Sequence, residues 1–150
     1  MNWDIPVQLI TALLGSLGFG MLFGIKSRYY PFAAFGGLLS WGMYILMMCF
    51  TEHIFISCFL ASAFSALYSE IVARVKKAPA TLFFISAVIP LIPGSSLYYT
   101  CSHAVSRQWE LVRAFGYQTM QWALAIAAGG CVVWAALIMT ERIKSAKQAK

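Results

Sequence analysis

Charge is missing from long stretches of this chain, and that absence limits its fold more than any motif does. Residues 6–25, 31–50 and 117–140 contain no Asp, Glu, Lys or Arg. Each stretch reaches or exceeds the roughly 20 residues that an α-helix needs to cross a hydrocarbon core of about 30 Å. A further uncharged run starts at Ile54 and lasts until Glu70, and another lies between Lys77 and Arg107. Backbone polar groups in lipid must find partners within their own segment, so all five runs read as helices. The expected architecture is an all-α integral membrane protein, one transmembrane domain built as a bundle of five helices. The expected spans are about 6–25, 31–50, 54–73, 80–100 (interrupted) and 117–140, with a basic cytoplasmic tail at 141–150. The first run differs from a cleaved leader: no Lys or Arg precedes it, it exceeds about 7–15 residues, and further spans follow.

Composition and charge narrow the class. The chain is 61% hydrophobic and 11% charged, against about 25% charged residues in soluble domains. Alternate connections hold Lys26 and Arg28, then Arg74, Lys76 and Lys77, then Arg142, Lys144, Lys147 and Lys150. The opposite connections hold only Arg107 and Arg113. Nine of the eleven Lys and Arg therefore fall on one side, and the positive-inside rule places the N-terminus outside and the C-terminus in the cytoplasm. The expected location is the cell (inner) membrane. The net charge of +6 reads as a topology signal with attraction to anionic membrane lipid, not as a nucleic-acid footprint. Trp3, Tyr29, Tyr30, Trp109 and Tyr117 fall at expected span ends, as an aromatic belt would.

Catalytic chemistry finds no parts here. Cys49, Cys58, Cys101 and Cys131 form no C-x-x-C pair and read as small apolar residues. His53 and His103 have no ligand-spaced partner, so neither a metal nor a cofactor is expected, and no nucleophile–base pair supports an enzyme. Helix packing is better signalled. Gly20 and Gly24, Gly36 and Ser40, Ser62 with Ala66 and Glu70, and Ala61 with Ser65 and Ser69 recur four apart, the spacing that lets helix backbones approach in lipid.

The fourth run carries the strongest local signal, AVIPLIPGSSLYY at residues 87–99. Pro90 and Pro93 each remove a backbone donor and clash with a preceding carbonyl, so no helix passes through unbroken. The expected form is a half-helix over about 81–88, an irregular IPLIPG, and a second half-helix starting near Ser95. Gly94 would relieve the backbone there, and Ser95 or Ser96 would cap the new N-terminus. A helix N-terminus at membrane depth offers unpaired N–H groups and the positive end of the dipole to a carboxylate. Irregular backbone at that depth is tolerated only against protein or a wet cavity, and broken helices of this kind build the midplane sites of secondary transporters. A simple proline kink is the competing reading. Two prolines, a glycine and paired serines followed by Tyr98 and Tyr99 favour a binding site.

With EIVARVKKAPATLFF before it and a last span and basic tail after it, this segment resembles the threonine/serine exporter family. The likeness is to its small membrane component, equivalent to the C-terminal five-helix half of the fused exporters. The resemblance implies proton-coupled export of small hydroxy amino acids, or of a dicarboxylate such as succinate. It also implies a larger five-helix partner carrying a cytoplasmic domain, so this chain is expected to be half of a transporter. The substrate-binding candidates are Pro90, Pro93, Gly94, Ser95, Ser96 and Tyr98. A partner that starts in the cytoplasm and crosses five times would be inverted relative to this chain, as alternating-access halves often are. A homo-oligomer is also compatible with the small-residue stripes.

Glu70 is the one acid inside an apolar run and hence a candidate proton carrier. The preferred reading is a helix-surface pair with Arg74 four residues on. A membrane scaffold or lipid-binding subunit is the alternative to a transporter, and it would need no polar cavity around Gly94.

Overall fold

A computed structural model describes residues 4–148. Trp3 and Lys150, assigned above to the aromatic belt and the basic tail, lie outside the described residues, as do the side chains of Lys144 and Lys147. Six α-helices follow in order: α1 (Asp4–Leu22), α2 (Tyr30–Thr51), α3 (Ile54–Lys76), α4 (Ala80–Val88), α5 (Gly94–Val105) and α6 (Trp109–Gln148). Short 3₁₀ turns at Ser27–Tyr29 and Ile89–Leu91 lead into α2 and out of α4. Four helices are each long and apolar enough to cross a membrane, and the bent pair α4–α5 passes the same test only when its two halves are taken together as one broken span. The protein is an all-α membrane protein.

Helix α3 is the spine, packing against α2, α4 and α6, while α1 packs on α2 and α5 chiefly on α6. Small residues make these approaches possible. Ser57, Cys58, Ala61, Ser62, Ser65, Ala66 and Ser69 of α3 are all buried. A Cβ added to Gly129 on α6 would sit 2.5 Å from the Phe59 carbonyl oxygen, so α3 and α6 meet backbone to backbone there. Ser62 Oγ donates to the Ile126 carbonyl across the same seam at 2.8 Å, and Ser65 Oγ donates to Ser40 Oγ on α2 at 2.8 Å. Lipid supplies no hydrophobic drive for helices to associate, so close packing and interhelical hydrogen bonds do that work. Ser16 of α1 is buried against Gly37 of α2, and its hydroxyl has no hydrogen-bond partner among the described residues.

Two sequence expectations change. Gly24 takes no part in a helix seam; it sits in the left-handed region at φ +65° and ends α1 in a turn, with nothing near a notional Cβ. Tyr29 is no belt residue. Its ring is buried, edge-on to Phe83 at 5.7 Å, and its hydroxyl donates to the Lys76 carbonyl at 3.4 Å. Trp109 and Tyr117 are exposed.

Long-range contacts bring the cationic connections to one end of the bundle. Tyr29 joins the α1–α2 turn to the end of α3, and Arg74 near that end reaches Glu141 of α6 at 2.6 Å. Helix α6, at 40 residues, is about 60 Å long. It outruns a hydrocarbon core of about 30 Å, and its first turns pack against α5.

Candidate functional site

The break between α4 and α5 is built by its prolines. Pro90 sits in the 3₁₀ turn after α4, Ile92 is extended (φ −66°, ψ 125°), and Pro93 adopts φ −78°, ψ 59°. Gly94 N–H then donates back to the Ile92 carbonyl at 2.8 Å, which makes an inverse γ-turn centred on Pro93. The chain leaves at an angle of 57° to its former course. Pro93 is the N-cap of α5 and no side chain caps that end. Neither Ser95 nor Ser96 therefore acts as the cap that the sequence suggested, and Gly94 does not take up the strain, since its backbone is not left-handed. The proline geometry absorbs the turn upstream of both.

The consequence is chemical. Leu97 N–H returns to the Pro93 carbonyl at 3.0 Å, but among the described residues no backbone acceptor receives the N–H groups of Ser95 and Ser96. These donors stand at the positive end of α5.

A hollow of about 350 Å³ lies at this point. Pro90, Ile92, Pro93, Gly94, Ser95 and Ser96 line it from the break. Trp41 of α2 and Gln118 and Trp122 of α6 complete the wall. The break thus brings together Pro90, Pro93, Gly94, Ser95 and Ser96. Tyr98 is not among the lining residues: it is 67% exposed and its ring packs edge-on with Tyr99. A Cβ on Gly94 would meet nothing within 4 Å, so the chain itself leaves that side open. Ser96 is buried while Ser95 is exposed.

The rings of the aromatic wall pack on one another. Trp41 stacks near-parallel on Trp122 with centroids 6.5 Å apart, Tyr44 packs on both, and Trp41 Nε1 donates to Gln8 Oε1 of α1 at 3.2 Å. Behind it lie Cys58, Ala61, Leu91 and Ala125. Sequence reasoning missed Trp41, Gln118 and Trp122, because their convergence depends on how α2 and α6 pack on the break. The signal available was weak: Gln118 is a polar residue early in an uncharged run.

Glu70 stands apart from this hollow. Arg74 Nε donates to Glu70 Oε1 at 2.9 Å, and the same guanidinium bonds Glu141. The helix-surface pair is therefore formed, at the cationic end of the bundle. Such an arrangement of free backbone donors, one amide side chain and two indole faces can hold a small carboxylate with a short polar or methyl-bearing side chain. The family model described as Threonine/Serine exporter, ThrE, matches residues 8–136, which takes in α4, α5 and every residue of the hollow. No solved structure matches the chain.

Proposed function

Because the chain belongs to the threonine/serine exporter family, we propose that it forms one half of a two-component secondary transporter for threonine, serine or a small carboxylate. The observation that carries this reading is the polar hollow at the break, lined by Ser95 and Ser96 with their N–H groups unclaimed. A substrate carboxylate would take those donors and the α5 dipole. The Gln118 amide would reach a substrate hydroxyl or ammonium, and the Trp41 and Trp122 faces would pack its carbon skeleton. A lipid-binding scaffold has no need of such a hollow, which favours the transporter.

The larger five-helix partner with a cytoplasmic domain would close the site where Gly94 leaves it open. The cationic end is assigned to the cytoplasm by the positive-inside rule, so proton entry from the opposite face would drive export. Efflux of labelled threonine, serine and succinate from vesicles tests the proposal. Vesicles holding both components should lose threonine or serine faster when a proton gradient is imposed. Equal efflux from this chain alone would overturn the two-component reading, and no efflux from the pair would overturn export.

A further inference from the structure

At the cationic end, the turn between α1 and α2 faces the turn between α3 and α4 across a second hollow, of about 260 Å³. Gly24, Lys26, Tyr29, Lys77, Pro79 and Leu82 are among the residues that line it. Both turns are fixed. Ile25 N–H returns to the Gly20 carbonyl at 3.1 Å around left-handed Gly24, and Lys77, left-handed at φ 51°, donates its N–H to the Ala73 carbonyl. The buried Tyr29 ring forms the floor and ties one turn to the other through the Lys76 carbonyl.

The cations around this hollow are not equivalent. Arg74 is taken up by Glu70 and Glu141, Lys76 Nζ lies over the Phe32 ring at 4.2 Å, and the Arg28 guanidinium lies over the Tyr29 ring at 5.1 Å. Lys26 and Lys77 have no carboxylate partner among the described residues, and both line the hollow. Lys77 also borders an adjoining hollow that Glu70 lines, but the Glu70 carboxylate is held by Arg74. Among the described residues, no acid lines the hollow that the two lysines share. Lys26 and Lys77 are both exposed residues on the rim of this one space, so an anion between them would be attracted by two positive charges. The N-terminus of α4 opens beside Pro79 and adds positive potential.

We propose that this hollow binds a phosphate-type anion, held by Lys26 and Lys77 as paired point charges. The shared chemistry is a phosphate monoanion or diester, which either the headgroup of an anionic lipid or a soluble phosphate could present. Lysines bind phosphate in this manner, and basic pockets between transmembrane helices hold anionic headgroups.

The test uses the full chain in mild detergent, with melting temperature and native mass spectrometry as readouts. Phosphatidylglycerol, phosphatidylcholine and inorganic phosphate are the probes. Phosphatidylglycerol should raise the melting temperature and stay bound where phosphatidylcholine does not. Lys26→Gln, which leaves the α3 cap untouched, should weaken this binding by about fivefold, and Lys26→Gln with Lys77→Gln should abolish it. The charge-matched pair Arg107→Gln and Arg113→Gln, at the other end of the bundle, should bind as the parent does. A gain from inorganic phosphate that the lysine variants lose identifies a soluble phosphate as the occupant; a gain from phosphatidylglycerol alone identifies a lipid. Binding of both phosphatidylglycerol and inorganic phosphate that is unchanged in the double-lysine variant, or binding of neither anion by the parent, overturns the proposal.

Discussion

Gly94 is the residue at which occupancy and stability separate most cleanly. A Cβ there meets no atom of the chain within 4 Å, so Gly94→Val should insert and melt as the parent does while narrowing the hollow and stopping transport. Efflux of labelled threonine alongside a melting curve checks both halves; normal transport would mean that the break is only a kink. Ser96→Ala keeps the backbone N–H and loses only a hydroxyl, so it should transport at a reduced rate with a shifted preference between hydroxylated and plain amino acids. Glu70→Gln leaves Arg74 still bonded to Glu141, and proton-driven efflux should persist. Loss of coupling with insertion intact would instead make Glu70 the proton carrier. Proline chemistry is local, which is why Pro90 and Pro93 marked the break in the sequence. Gln118 and Trp122 could not be found that way, because nothing near them in the chain speaks of α5.

Among the elements, the α3–α6 seam has the least slack. The Gly129 backbone lies against the Phe59 carbonyl and the Ala63 amide, main-chain atoms that cannot swing aside. Gly129→Val should therefore cost about 1–3 kcal/mol by overpacking, seen as a lower melting temperature in detergent, whereas Gly15→Val, with open space around it, should cost little. The serine and alanine stripes of α3 were legible because residues four apart share a helix face. Gly129 and Gly130 are adjacent and lacked that spacing, so their half of the seam was not. Gly24 was misread for the complementary reason: four-residue spacing continues past the point where a left-handed turn ends the helix. Charge also marks where a span leaves lipid without marking where a helix stops, and α6 accordingly begins at Trp109 rather than near 117.

Taken whole, the molecule separates a cationic end, where the α1–α2 and α3–α4 connections and the end of α6 meet, from the end that carries the α2–α3 and α5–α6 connections. Single cysteines at Ser27 and at His53, in a background without the native cysteines, should label from opposite faces of the membrane, with Ser27 reached from the cytoplasm. Labelling of both from one face would overturn the topology. Charge segregation made this polarity readable from sequence, since desolvating a Lys or Arg is costly wherever it falls in a span. The side on which the proposed larger partner would dock left no such imprint, because an apolar helix face looks the same toward lipid as toward protein. The central claim, that substrate sits at the break, is tested most directly by protection of Ser95→Cys, placed in the same cysteine-free background and assembled with the proposed partner in vesicles. Threonine or serine should slow its reaction with a water-soluble maleimide while leaving a control cysteine at His53 unaffected. An unchanged rate at Ser95→Cys in saturating substrate, in vesicles that transport, would contradict the account.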